Sequence, residues 1–490
     1  MGRKSQKKGL TPRAEDFSAW YNEVVQQAEL ADYSPVRGSM VIRPWGYGIW
    51  ENMQRALDDM FKASGHRNAY FPLLIPMSFI EREKEHVEGF KPELAVVTHA
   101  GGKELEEPYV VRPTSETIIY AMYAKWVQSY RDLPILLNQW ANVMRWELRT
   151  RLFLRTAEFL WQEGHTAHAT EAEAEEETQK ILGIYRSFME DWMAMPPVTG
   201  RKSESEKFAG AVRSYACEAL MQDGKALQAG TSHMLGQNFA RQFGLTFQSE
   251  AGREEYAWNT SWGVSTRLVG GLVMTHGDDV GVVVPPRLAP TQVMVVPIGR
   301  SDEQWAVVSE AADRVVAALG DAGVRAEADR RRHLSPGAKF FEWERKGVPV
   351  RVEIGPRDVE RGEVVVVQRV TAPGEDRKVG VEEGRASGEM PARLEALQAQ
   401  LLDVARSRRK TATHRGEVRS VEELGALLDE GVGFVHSGWS GDPAVEERVK
   451  EATKATIRVI PGEEFRSATA PVHCAGGGKA RMEVVWARAY

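Results

Sequence analysis

Two cysteines in 490 residues, Cys217 and Cys474, exclude a disulfide framework and suit a reducing cytoplasmic compartment. No run of about eighteen apolar residues occurs, so nothing reads as a membrane span. A Gly-x-x-x-x-Gly-Lys-Ser/Thr loop is also missing. Any nucleotide must therefore be held by arginines and a sheet rather than by a phosphate-wrapping helix N-terminus. Positive charge is not in excess: 63 Lys and Arg against 69 Asp and Glu leave a formal net charge of −6. Contact with nucleic acid would need a local basic face on an acidic body. The first residues, Met-Gly-Arg-Lys-Ser-Gln-Lys-Lys, lack the apolar core of a signal peptide, and Gln6 stands where a myristoylation signal carries Ser or Thr. They read as a solvated tail or an RNA-touching arm. Chain length predicts roughly two to four domains.

What is present centres on Gln139–His168. Two apolar strands, Trp140–Trp146 and Glu158–Trp161, flank a turn carrying Arg149, Arg151 and Arg155. A hairpin presenting Arg145, Glu147 and a cationic tip on one surface suits a nucleoside triphosphate: arginine for phosphate, carboxylate for the adenine amino group. Upstream, Phe17, Trp20, Tyr21 and Val24 or Val25 predict an amphipathic helix over Ala14–Glu29. A second helix follows Trp45 through Met53, Leu57, Met60 and Phe61, stopped at Gly65. The run Ala69–Pro76 contains proline and so predicts a strand at an edge or interface.

Other segments carry local signals. Tyr109–Arg112 predicts a strand turning at Pro113 into a helix, with Thr114 or Ser115 as cap and Glu116 as dipole partner. Thr170 and Glu173 form a capping box, and Glu171–Glu177 reads as a solvated face. Asp223-Gly-Lys predicts a hairpin turn. Gly230, beside Thr231 and His233, allows close approach of backbone to a ligand. The small residues Ser261 to Ser265 before Arg267 predict a strand-to-helix turn under a nucleotide. Pro285, Pro286 and Pro290 mark a stiff linker. From Thr291 strands and helices alternate, which predicts a separate α/β unit with a mixed sheet.

Arg-x-Glu, a loop, then Arg155-Thr-Ala-Glu-Phe-Leu-Trp-Gln-Glu-Gly-His-Thr-Ala-His resembles motif 2 of class II aminoacyl-tRNA synthetases, in the wording of the prolyl-tRNA synthetase family. The Pro72 segment resembles motif 1, and the segment ending at Arg267 resembles motif 3. The resemblance runs along nearly the whole chain and implies an α/β (α+β) protein of three domains: an antiparallel-sheet catalytic domain over 1–290, an anticodon-binding domain over 291–405 and a small α/β domain over 406–490. It implies a short, archaeal/eukaryotic-like proline–tRNA ligase using ATP and Mg²⁺, acting on proline and tRNA(Pro) as a cytoplasmic homodimer, with Pro72 at the dimer interface.

Residue by residue, the family places Thr114, Glu116, Arg145 and His233 against proline. Arg145, Glu147, Arg155, Thr156, Phe159, Gln228, Thr231, Ser265 and Arg267 fall to ATP, with Arg145 and Arg267 catalytic. Glu342, Arg351, Arg357 and Arg369 face the anticodon, a pairing chemically apt for guanine edges and phosphate. Departures matter as well. Where many relatives hold zinc on four cysteines, only Cys474 remains, with His473 beside it and His436 in the segment where the first pair would stand. A closed structural site needs four ligands, so no zinc is expected. The interval between motifs 2 and 3 is too short for the large editing insertion, and misactivation of alanine is expected. The terminal Tyr490 is a family feature placed near the active site. Two rival readings stay open: an enzyme passing prolyl-adenylate to a carrier protein, and an inactive paralogue acting as a binding module.

Overall fold

A computed structural model describes residues 9–86, 94–147, 149–372 and 374–490; the basic N-terminal tail discussed above lies outside them. The first helix, Phe17–Gln27, is capped by Asp16 and buries Trp20, Tyr21, Val24 and Val25 as its spacing predicts. The second, Pro44–Ala63, begins at a proline whose missing N–H costs nothing in a first turn. Gly65 ends it at φ +94°, a left-handed conformation that glycine adopts without strain. The expected strand at 69–76 is broken. Arg67–Asn68 and Leu74–Pro76 join different sheets, and Pro72 lies exposed between them. Proline cannot donate to a ladder, so the run divides there.

An 11-stranded sheet dominates the fold. One end of it runs Arg67–Asn68, Ile135–Met144, Glu158–His168, Trp258–Ser265, Ala226–Gly236, Arg213–Leu220 and Pro197–Arg201. All these neighbours are antiparallel except the first pair. The long helix Glu171–Asp191, opened by the Thr170–Glu173 capping box, packs Ile181, Tyr185, Phe188 and Met189 into the main core behind this sheet. Glu177 is not part of a solvated face. It is buried, 2.9 Å from both the His66 ring and the Lys180 ammonium.

The sheet does not stop at Pro197–Arg201. Ile460 and Pro461 pair with Arg201 and Gly200, so the C-terminal strands Thr456–Pro461, Met482–Ala487, Phe434–Trp439 and Thr413–Arg415 extend it. Gly200 is obligatory at this seam, because a Cβ there would lie 2.2 Å from the Ile460 carbonyl oxygen. Val198, Ala216 and Leu220 share one apolar cluster with Phe434, Val459 and Val485.

Between these halves in sequence, residues 293–382 form a separate five-stranded mixed sheet. Val293–Pro297 is parallel to Ala326–Ala328 and Val350–Ile354; Glu363–Gln368 and Lys378–Glu382 run antiparallel. The proline-marked connection before it is packed, with Val282, Val283, Val284, Leu288 and Ala289 buried. A 29-residue helix, Glu383–Thr411, returns the chain to the C-terminal strands.

Candidate active site

The hairpin at Ile135–Met144 and Glu158–His168 pairs in continuous register from Ile135↔Ala167 to Met144↔Glu158. Alternate residues of its second strand, Phe159, Trp161, Glu163 and His165, line one cavity of about 530 Å³, as a period of two requires. Arg145 follows the first strand, and its Nε donates to the Pro113 carbonyl at 2.9 Å. Its guanidinium lies 5.5 and 5.4 Å from the Phe159 and Trp161 ring centroids. The turn itself differs from a purely cationic tip. Leu152, Phe153 and Leu154 are buried in the main core, and Tyr21 donates to the Leu152 carbonyl at 2.8 Å.

Arg267 starts the helix Arg267–His276, directly after the strand Trp258–Ser265. Its Nε donates to the Leu154 carbonyl at 3.1 Å, tying helix start to hairpin turn. Arg145 and Arg267 both line the cavity, and neither has an ion pair among the described residues. Burial lowers the pKa of each; the Glu116 and Glu163 carboxylates oppose this at Arg145, and the Arg145 and Arg155 charges add to it at Arg267. Two facing cations without a carboxylate partner favour a polyanionic ligand.

Gln228, Thr231 and His233 reach the same cavity from the strand Ala226–Gly236. Residues 228 and 231 are three apart and would fall on opposite faces of a regular strand. A bulge resolves this: Gly230 pairs with Cys217 and Gln228 with Glu218, leaving Ala229 as the extra residue. Gly230 lines the cavity and also has a packing reason, since its Cβ would sit 2.9 Å from Val264 Cγ1 and 3.3 Å from Met189 and Tyr185.

Ser115 stands at the N-cap of the helix Glu116–Trp126, but its side chain makes no capping hydrogen bond. The Thr114 hydroxyl donates to Glu116, and Ser115 Oγ donates to Glu163 at 2.5 Å. Glu163 also accepts from Gln139 Nε2 at 2.8 Å and lies 3.0 Å from His165 Nε2. Burial opposes charge on His165, but the Glu163 hydrogen bond and the Glu116 and Glu163 carboxylates outweigh it and raise its pKa. His233 behaves in the opposite way. Burial, then Lys202 and His165, push it down to about 3, and its Nδ1 lies 2.8 Å from Ser214 Oγ. The cavity thus holds a neutral imidazole at His233 and the carboxylates of Glu116, Glu163 and Glu206 in one lining.

The remaining expected residues lie elsewhere. Glu147 accepts from the Arg149 amide at 2.9 Å and lies 3.4 Å from Arg155 Nε; Thr156 donates to the Glu158 carbonyl at 2.7 Å. These three belong to the turn and do not line the cavity. In the mixed-sheet unit, Glu342 pairs with Arg331 and Lys346, each at 2.9 Å, and Arg351 with Glu353 at 2.9 Å. Arg357 is exposed with no ion pair among the described residues. Arg369 is buried and spends its guanidinium on Asp278, so it is not free to meet an RNA base. Sequence reading missed Trp161, Glu163, His165, Lys202, Phe208 and Ser214, all in the cavity wall. Counting by twos from Phe159 would have found the first three; Lys202 and Phe208 carry no such signal.

Cys474 is buried among apolar residues, His436 lies 2.7 Å from Glu483, and His473 lies 3.0 Å from Glu417. Among the described residues no group of three or more His, Cys, Asp or Glu could hold a metal.

Three family descriptions match successive parts of the chain. These are the tRNA synthetase class II core domain (G, H, P, S and T) over 96–276, the anticodon binding domain over 292–386, and the prolyl-tRNA synthetase C-terminal region over 421–490. Proline–tRNA ligases from Roseiflexus castenholzii and Chlorobium luteolum are each 55% identical to it over 486 residues, covering 99% and 98% of this chain and 100% and 99% of theirs. A crystal structure of prolyl-tRNA synthetase from Cryptosporidium parvum, complexed with halofuginone and AMPPNP, matches with a TM-score of 0.90 at 39% identity. That match covers 98% of this chain and 99% of the other.

Proposed function

The chain belongs to the proline–tRNA ligases, and we propose that its cavity builds prolyl-adenylate from proline and ATP before handing the prolyl group to the 3′ end of tRNA(Pro). The observation that carries this reading is that Arg145 and Arg267, cations with no ion pair among the described residues, line one cavity with Thr114, Glu116 and His233. Glu116 and the Thr114 hydroxyl hold the secondary ammonium of proline, which keeps two N–H donors when protonated. Neutral His233 lines the proline side. Arg145 meets the α-phosphate as the proline carboxylate attacks in line, and Arg267 holds the outer phosphates as pyrophosphate leaves.

Phe159, Gln228, Thr231 and Ser265 line the nucleotide side, with Glu147, Arg155 and Thr156 on the adjoining turn for the adenine and outer phosphates. The Cryptosporidium parvum enzyme was solved with AMPPNP, an ATP analogue, which supports a nucleotide in the same cavity here. Mg²⁺ would supply further charge neutralisation to the triphosphate, and holding it would need only one or two protein carboxylates. Glu116 and Glu163 are already engaged by Thr114, Ser115, Gln139 and His165. The protein's own contribution to the triphosphate charge is therefore Arg145 and Arg267. Positioning and electrostatics suffice, and no protein nucleophile is required.

Residues 1–290 do the chemistry, 291–405 bind the anticodon through Glu342, Arg351 and Arg357, and 406–490 form the C-terminal domain without zinc. Tyr70, Pro72 and Leu74 are exposed in succession, which supports a homodimer through this segment. Free, buried cysteines support a cytoplasmic enzyme. Two helices and the strands among them occupy the interval between motifs 2 and 3, which supports a chain without the editing insertion there. Proline-dependent ATP–pyrophosphate exchange, followed by addition of proline tRNA, tests the reading. Exchange with charging is expected. Exchange without charging would indicate a carrier-protein acceptor, and no exchange would overturn the mechanism.

A further inference from the structure

The segment Lys202–Phe208 forms one wall of the amino-acid side of the cavity, contributing Lys202, Glu206, Lys207 and Phe208. Phe208 packs 5.1 Å, ring to ring, from His233, and its amide donates to Ser214 Oγ, the group that also meets His233. Such a loop needs fixing from behind, and the fixing groups come from the C-terminal unit. Ser203 Oγ donates at 2.8 Å to Glu446 Oε1, on the helix Pro443–Thr453, with both residues buried. Lys202 Nζ donates at 2.8 Å to Glu218, whose carboxylate also accepts from Arg458 Nη2 at 2.9 Å and Nε at 3.1 Å. Arg458 sits on Thr456–Pro461, the strand that joins the C-terminal sheet to the catalytic one, and lies 3.9 Å from Glu206. Lys202, Glu218 and Arg458 are all nearly inaccessible.

We propose that Glu446 and Arg458 of the C-terminal unit are positioning residues for proline, clamping Ser203 and the Lys202–Glu218 pair so that Phe208 and His233 present a fixed wall to the substrate ring. This rests on the assignment of the cavity to proline made above. Glu218 and Arg458 also reach Arg267 electrostatically, whereas the Ser203–Glu446 bond touches the loop alone, so that bond is the part of the clamp that governs amino-acid affinity and leaves ATP affinity alone. It also gives the C-terminal unit a role that needs no metal: a loop anchored by buried charge-assisted hydrogen bonds loses its geometry when one partner is removed.

The test is steady-state ATP–pyrophosphate exchange with Ser203→Ala, Glu446→Ala and Glu446→Gln in the full chain. Loss of a charge-assisted hydrogen bond predicts a rise of about tenfold in the KM for proline for both alanine variants. The KM for ATP and kcat should stay within about twofold, since no nucleotide contact is removed. Glu446→Gln keeps an oxygen for Ser203 and should restore most of the proline affinity. A proline KM that does not move in Ser203→Ala, the smaller change and the one that spares the fold, overturns the clamp. So does a parallel shift of proline KM, ATP KM and kcat. Thr114→Val separates the two layers of argument. If it raises the proline KM while the clamp variants do not, the pocket stands and the clamp falls; if it too has no effect, the pocket assignment itself falls.

Discussion

Arg369 donates both terminal nitrogens to the Asp278 carboxylate, at 2.7 and 2.6 Å, and its Nε to the Glu344 carbonyl at 3.0 Å. Asp278 stands just past the helix that Arg267 begins, and Arg369 follows the strand Glu363–Gln368 of the mixed sheet. This bidentate pair therefore ties the mixed-sheet unit to the end of the helix that Arg267 begins, beside the Lys346–Glu29 ion pair and the Trp45 bond to the Lys346 carbonyl. Bidentate guanidinium–carboxylate geometry sets orientation as well as energy.

Arg369→Ala should leave proline-dependent exchange close to normal and lower tRNA charging, because only charging needs the two units at a set angle. Stability should fall by on the order of 2 kcal/mol. That is less than a fully buried broken pair costs, since Asp278 keeps its bonds to the Val280 and Gly281 amides and some exposure. Chemical denaturation and the ratio of exchange to charging rates check both statements.

Arg145→Ala should cost about 10² to 10³ in kcat for exchange, the range seen when one preorganised donor to a developing charge is removed. Arg145→Lys should not restore it, since the flat guanidinium between Pro113 and the Phe159 and Trp161 rings cannot be copied by an ammonium. Rapid-quench measurement of adenylate formation decides the point.

Acid should weaken the fold before the carboxylates titrate. Burial pushes His233 down to about 3, and His168 and His276 to about 4, from an ordinary 6.5. The unfolded chain then takes up protons that the native chain refuses. Stability is complete above about pH 6.5 and falls as pH drops toward 4, by roughly 3 kcal/mol for each such histidine. His276→Gln, whose amide can still donate to the Met193 carbonyl that His276 Nε2 meets at 2.8 Å, should flatten this slope. Urea unfolding at pH 7.5, 6 and 5 measures it.

The catalytic sheet was legible because its strands carry period-two patterns and its helices carry caps, as at Thr170 and Gly65. The cavity was legible only in part. Thr114, Glu116, Arg145, His233 and Arg267 sit in short motifs whose chemistry is local. Glu163 and His165 were missed although they share a face with Phe159, because a buried Glu–His pair looks the same in sequence as any polar pair in a strand. Gln228 joined Thr231 only through a bulge, which one extra residue creates and composition does not announce. Arg369 and Glu177 were misread for a common reason: a charged side chain gives no sign in sequence of a distant partner such as Asp278 or His66. The division of the run at 69–76 follows from Pro72, but its two pieces could join different sheets only once tertiary neighbours were known.

Alanine should be activated at a measurable rate. It lacks two ring methylenes of proline, and a pocket distinguishes about 1–3 kcal/mol per methylene, so kcat/KM should fall by roughly 10² to 10⁴ rather than to nothing. Alanine-dependent exchange at background would mean that Phe208 and His233 reject small substrates by a means other than lost contact.

Tyr490 should matter to ATP more than to proline. Its amide donates to the Ala226 carbonyl at 3.1 Å, at the start of the strand that carries Gln228 and Thr231. Its hydroxyl donates to Asp223 at 2.6 Å, and burial, then Asp223, keeps that phenol protonated far beyond neutral pH. The Arg151 guanidinium lies 5.5 Å from the Tyr490 ring and 4.6 Å from the Tyr21 ring. Tyr490 thus joins the strand that carries Gln228 and Thr231 to the turn that carries Arg151. Cation–π contact at a partly buried site is worth about 1–2 kcal/mol. Removing Tyr490 should therefore raise the KM for ATP about fivefold or more, with the proline KM little changed. Tyr490→Phe keeps the ring under Arg151 and loses only the bond to Asp223, so its ATP KM should stay near normal while stability drops by about 1 kcal/mol. Equal ATP KM values for the deletion and the intact chain would show that the ring contact with Arg151 does not set the turn.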